Sequence, residues 1–83
     1  MRKMGKLVIN LGHILNELRI NPYQFAKMTK IRHSTIYDMI HNESRSLKVA
    51  NIEIILATLN NLSREKGLEK HFTVNDLFSY KEY

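Results

Sequence analysis

The apolar residues of this chain fall in separate short blocks, and within each block they recur at spacings of three and four. Leu7, Val8, Leu11, Ile14, Leu15 and Leu18 make the first stripe; Ile36, Met39 and Ile40 make another; Val49, Ile52, Ile55, Leu56, Leu59 and Leu62 make the longest. This is the period of one buried helix face rather than the alternation of a half-buried strand. Between the blocks stand residues that start or stop helices. Asn21 can accept from the free amides of a first turn, and Pro22 is tolerated at the first helical position. A short helix over about 22–30 follows, with Phe25, Ala26 and Met28 as its apolar residues, and it is interrupted at Thr29–Arg32. Asn42 suits a left-handed cap, residues 42–46 form a polar connection, and residues 63–70 form a polar loop around Gly67. Thr73 with Asp76 three residues on has the form of a capping box opening a last turn through Val74, Leu77 and Phe78. The expectation is an all-α fold of five helices, over about 7–19, 22–30, 33–42, 49–62 and 73–78, with no strand.

With 83 residues, the chain has room for one domain, which excludes a two-domain enzyme. It reads as a basic arm over 1–6, a folded domain over 7–79 and a short frayed tail over 80–83. No cysteine is present, so disulfide frameworks, thiolate metal cages and thiol nucleophiles are excluded. No apolar run approaches the roughly twenty residues of a membrane span or the ~7 of a signal-peptide core, and the expected location is cytoplasmic. The net charge of +5 makes a polyanion the first partner to consider. Its distribution is uneven: Arg2, Lys3 and Lys6 stand without an acid in the arm, and Lys27, Lys30, Arg32, Arg45 and Lys48 face only Asp38 and Glu43 between residues 27 and 48.

Two short helices joined by a tight connection suggest a helix-turn-helix, whose second helix enters the major groove of DNA while the first crosses the backbone. The segment from Phe25 and Ala26 through Lys30, Ile31, Ser34 and Ile36 to Tyr37 resembles the Cro and phage-repressor-like (Xre-type) helix-turn-helix family. The likeness continues through Ile52, Ile55, Thr58 and Leu59 to Asn75-Asp76-Leu77-Phe78, so that it spans about residues 7–78. It implies a five-helix, lambda-repressor-like domain that binds duplex DNA as a transcriptional regulator, more in the manner of a repressor than an activator. This chain departs from the family at named positions. Lys30 stands where the family favours Gly at the turn, Arg32 where it favours a Ser cap, and Pro22 where it favours a Gln. Leu15 and Ile40 stand where many relatives have a paired Arg and Glu. Lys30 must therefore either hold a positive φ or impose another turn geometry. The joint loss of the charged pair is what a consistent core requires, because one buried charge alone is strongly destabilising.

Base reading falls to the start and outward face of the 33–42 helix: Arg32, His33, Ser34, Tyr37 and Asp38. Arg can grip guanine bidentately, His and Ser can donate or accept at either groove edge, and Asp can accept from cytosine N4. The plainer readings are that Ser34 caps the helix and that Asp38 pairs with a surface cation. Phosphate contacts are expected from Asn21, Tyr23 and Gln24 at the start of the preceding helix, with Lys27 and Lys30 beside it. Thr35, Asn42, Ser44, Arg45 and Lys48 are the further phosphate candidates, and the arm Arg2, Lys3 and Lys6 either follows an adjacent groove or is disordered.

Enzymatic chemistry finds no pattern to stand on. His13, His33, His41 and His71 are scattered, with no His-Glu-x-x-His spacing, Gly-rich phosphate loop or paired carboxylates; His33 and His41, eight apart, can share a helical face, but with Asp38 between them no metal site is expected. No cofactor, metal, membrane or small-molecule partner is expected. The rival reading is a protein-interaction module, an antitoxin or adaptor built on the same fold and using Tyr80, Tyr83 and the 63–70 loop. A DNA reader of this size needs a second copy to cover a palindrome. Phe72, Leu77, Phe78 and Tyr80 are the candidate dimer residues, unless Phe72, Leu77 and Phe78 close the monomer's own core.

Overall fold

The computed structural model describes residues 5–44 and 46–82. In chain order these form β1 (Gly5–Ile9), α1 (Leu11–Leu18), α2 (Pro22–Thr29), α3 (His33–Ile40), α4 (Val49–Glu65), α5 (Val74–Leu77) and β2 (Phe78–Glu82). The expected all-α architecture is thus corrected: β1 and β2 pair antiparallel, with Gly5 opposite Glu82, Leu7 opposite Tyr80 and Ile9 opposite Phe78. Leu7 and Val8, read as the first turn of a helix, are strand residues. Phe78, read as the end of the last helix, begins a strand, and Tyr80 to Glu82, read as a frayed tail, complete it. The helical stripe is genuine only from Leu11 onward. Arg2, Lys3, Arg45 and Tyr83 lie outside the described residues.

The ribbon has two unlike faces. On one face Ile9 and Phe78 join the core, Leu7 and Tyr80 come next and are exposed, and the Tyr80 ring lies over Gly5 in the space that a Cβ there would occupy. Aromatic cover of a strand glycine in this way supports a short sheet. The other face carries Lys6 and Val8 opposite Lys81 and Ser79. A two-stranded sheet is marginal by itself, and this one is fastened to the helices through asparagines. The Asn10 amide donates to Leu77 O at 2.7 Å, and its side-chain nitrogen donates to Asp76 O at 3.1 Å and Ser79 Oγ at 2.9 Å.

The helices bury the stripes that their spacing announces: Leu11, Ile14, Leu15 and Leu18 from α1, Phe25 and Ala26 from α2, Ile36 and Met39 from α3, and Ile55, Leu59 and Leu62 from α4. Met28, by contrast, is exposed. Leu15 is buried and Ile40 half-buried, both lining one cleft with Gly12, where a Cβ would come within 2.9 Å of Ile40 Cγ2. Leu15 and Ile40 therefore sit where α1 and α3 approach closely.

Helix ends follow local chemistry. Asn21 Oδ1 accepts the Gln24 amide at 2.8 Å, with Pro22 in the first turn, and the Asp76 carboxylate accepts the Thr73 amide at 2.9 Å. Left-handed residues close α1 at Arg19, α2 at Lys30, the α3 exit at Asn42 and the α4 exit at Gly67. The α4 helix runs to Glu65, a turn beyond the expected end. Ser63, fully buried, donates to Lys70 O at 2.7 Å and folds the 63–70 loop back on the helix. Glu17 ties that loop to α1 through Lys70 Nζ at 3.0 Å; this contact, with a lesser contribution from His13, lowers the Glu17 pKa. Among the described residues, no helix is long and apolar enough to cross a membrane.

Candidate nucleic-acid interface

The turn between α2 and α3 is built on Thr29 and Lys30. Lys30 takes φ 60° and ψ 22°, the left-handed geometry that a glycine would adopt without strain. Thr29, almost fully buried, supplies what the turn otherwise lacks. Its hydroxyl lies 3.0 Å from Phe25 O and 3.2 Å from Ala26 O, and its oxygen accepts the Ile31 amide at 3.3 Å. The interruption at Thr29–Arg32 was legible in the sequence; the hydroxyl that organises it was not, because a threonine near a helix end has no distinguishing local pattern.

From that turn α3 begins with Arg32 as its N-cap residue and no side-chain cap on its first amides, so Ser34 does not cap the helix. Ile36 and Met39 face the core, while Arg32, His33, Ser34, Tyr37 and Asp38 are all exposed. The five residues expected to read bases thus share the outward side of one helix. No cation among the described residues lies within 4.0 Å of the Asp38 carboxylate.

The spacing of eight between His33 and His41 lets them share a helical face; the ring-to-ring order along that face is what sequence reading missed. His33, Tyr37 and His41 stand four residues apart, which stacks them along one helical stripe. The His33 and Tyr37 rings meet edge to face at 4.5 Å, and the Tyr37 and His41 rings stack at 5.6 Å. Tyr23 of α2 extends the row, edge to face with His33 at 5.4 Å, and Lys27 Nζ lies 4.7 Å from the Tyr23 ring centre. His41 belongs to the row, and its twofold spacing of four was the available signal.

Beside the row is a notch of about 290 Å³ between α2 and the start of α3, lined by Tyr23, Lys27, Lys30, Arg32 and His33. It gathers five of the sequence-predicted residues, three of them cationic. Thr35 and Lys48 meet in a second cleft, between α3 and the start of α4, together with Ser46 and Asn51. Most of the remaining candidates are less free. The Asn21 side chain accepts the Gln24 backbone N–H, while the Gln24 side chain is exposed. Asn42 Oδ1 accepts the Ile9 amide, so this side chain holds β1 to the end of α3 instead of projecting from the surface. Ser44 is half-buried and Arg45 lies outside the described residues. Of the dimer candidates, Phe72 and Leu77 are buried within the monomer, Phe78 packs against the same core, and Tyr80 is exposed over Gly5. No family model, curated protein or solved structure matches the chain.

Proposed function

We propose that this chain binds duplex DNA in a sequence-dependent manner, as a small cytoplasmic transcriptional regulator that represses by occupying its site. In this reading α3 lies in the major groove and α2 crosses the backbone. The observation that carries it is the Tyr23–His33–Tyr37–His41 row: four exposed rings, one from α2 and three along α3 and its C-cap, each in contact with the next and contributing nothing to the core. Holding side chains in place before contact lowers the ordering cost of association, and imidazole and phenol edges can both donate and accept at base edges. The basic notch formed by Lys27, Lys30 and Arg32 supplies phosphate attraction where the groove wall would lie. The likeness of residues 25–37 to the Cro and phage-repressor-like family supports the same assignment.

Selection from a randomised duplex pool at 50 and 200 mM salt tests the reading, since phosphate-driven binding weakens by orders of magnitude over that range. The expected result is an enriched motif, in inverted repeat if two copies bind, that an R32A/H33A variant fails to select. Absence of a motif would overturn the proposal and point to a protein partner for the same face.

A further inference from the structure

The outer face of the β-ribbon pairs like with like. Lys6 stands directly opposite Lys81, and facing residues of an antiparallel pair project to the same side. Like charges in this position destabilise a sheet, and among the described residues neither lysine is in an ion pair: the pairs there are His13–Glu17 and Glu17–Lys70. Glu82, adjacent to Lys81, projects to the opposite side because strand neighbours alternate. A marginal sheet thus carries two exposed lysines directly opposite each other near its outer end.

The position of the ribbon suggests what the pair is for. The Ile9 amide is bound by Asn42 at the exit of α3, so the ribbon springs from the end of the helix that carries the aromatic row. Lys6 lies three residues, about 10 Å, farther along the strand, a span comparable to the ~12 Å width of a major groove. We propose that the Lys6–Lys81 face of the ribbon is a second DNA contact, binding backbone phosphates beside the groove that α3 enters; this rests on the DNA-binding reading above. The contact carries no sequence information. It adds affinity and fixes the orientation of α3, and one phosphate bound at each ammonium group relieves their repulsion.

The test is the salt dependence of binding to the selected duplex, in which each phosphate neutralised contributes about 0.9 to the slope of log K against log salt. In K6Q/K81Q the slope should flatten by about 1.8, affinity should fall more at 50 than at 200 mM salt, and the selected motif should be unchanged. K6R/K81R should retain the parent slope, and so should K66Q, whose charge lies at the end of α4. The thermal midpoint of K6Q/K81Q should stay the same or rise, which separates lost contact from lost folding. An unchanged slope in K6Q/K81Q overturns the ribbon contact alone, as does an equal flattening in K66Q. Failure of the unaltered chain to bind any duplex overturns both proposals.

Discussion

Asn42 closes the exit of α3 in a left-handed turn at φ 59°, and its side-chain oxygen accepts the amide of Ile9, thirty-three residues earlier. One residue thereby ends the helix of the candidate interface and anchors the ribbon beside it. Two substitutions separate these tasks. Asn42→Gly keeps the backbone geometry and loses the acceptor, at an expected cost of about 1 kcal/mol. Asn42→Ala loses the acceptor and adds left-handed strain of about 1–2 kcal/mol. Urea unfolding should rank the parent above the glycine variant and the glycine variant above the alanine variant; equal losses would mean that only the hydrogen bond matters.

Lys30 and Arg19 both hold positive φ without being glycine. Lys30→Gly and Arg19→Gly should each stabilise the fold by about 0.5–1 kcal/mol, since glycine adopts this geometry without a Cβ clash. For a domain of this size that corresponds to a rise in thermal midpoint of several degrees. Lys30→Ala, which keeps the strain, should leave the midpoint nearly unchanged.

Thr29 offers a sharper loss. Thr29→Val keeps the shape of the side chain but removes the acceptor of the Ile31 amide, leaving a buried donor unpaired at a cost of about 1–3 kcal/mol. Thr29→Ser should recover most of it. Because the turn aims α3, the valine variant should also bind DNA less well at temperatures where it remains folded.

On the α3 face the pattern reverses. His33→Ala and Tyr37→Ala should each weaken binding to the selected duplex by about ten- to a hundredfold, the range of a lost base contact. Both residues are exposed but touch neighbouring rings, so unfolding free energies should fall by about 0.5–1 kcal/mol, less than the affinity loss. A stability loss equal to the affinity loss would identify the row as a structural device.

Glu17 predicts an acid response. Lys70, and to a lesser degree His13, hold its carboxyl below the ordinary value of 4.5. A carboxylate whose pKa is lower in the folded than in the unfolded state contributes stability above the unfolded value, and that contribution is lost as pH falls through the folded value. Thermal midpoints of the parent should therefore exceed those of Glu17→Gln at neutral pH, with the difference closing below pH 4.5. A gap that persists in acid would refute the Lys70 contact as its source.

The helices, their order and several of their ends were legible in the sequence because each signal lies within a few residues. The spacing of Ile55, Leu59 and Leu62, the Asn21-Pro22 start, the Asn42 exit and the Thr73 and Asp76 pair are all local chemistry. The exposed face of α3 followed from the same periodicity, since fixing Ile36 and Met39 inward leaves Arg32, His33, Ser34, Tyr37 and Asp38 outward. The side-chain roles of Asn42 and Thr29 were not legible, because each depends on which backbone group the fold brings to it.

The two strands mark where local reading stops. Leu7 and Val8 lie close to a true helical stripe and fit its spacing, yet Gly5 to Ile9 pairs with Phe78 to Glu82 at the other end of the chain. A strand has no internal hydrogen bonds, so its identity depends on a partner rather than on its own residues. By itself the sequence determined the amphipathic helices, several of their caps and the concentration of basic charge around residues 27–48. Only the tertiary structure decided that the two ends form a ribbon, that Asn42 fastens it to α3, and that Tyr23 joins His33, Tyr37 and His41 in one row, because these relationships exist only once distant segments have been brought together.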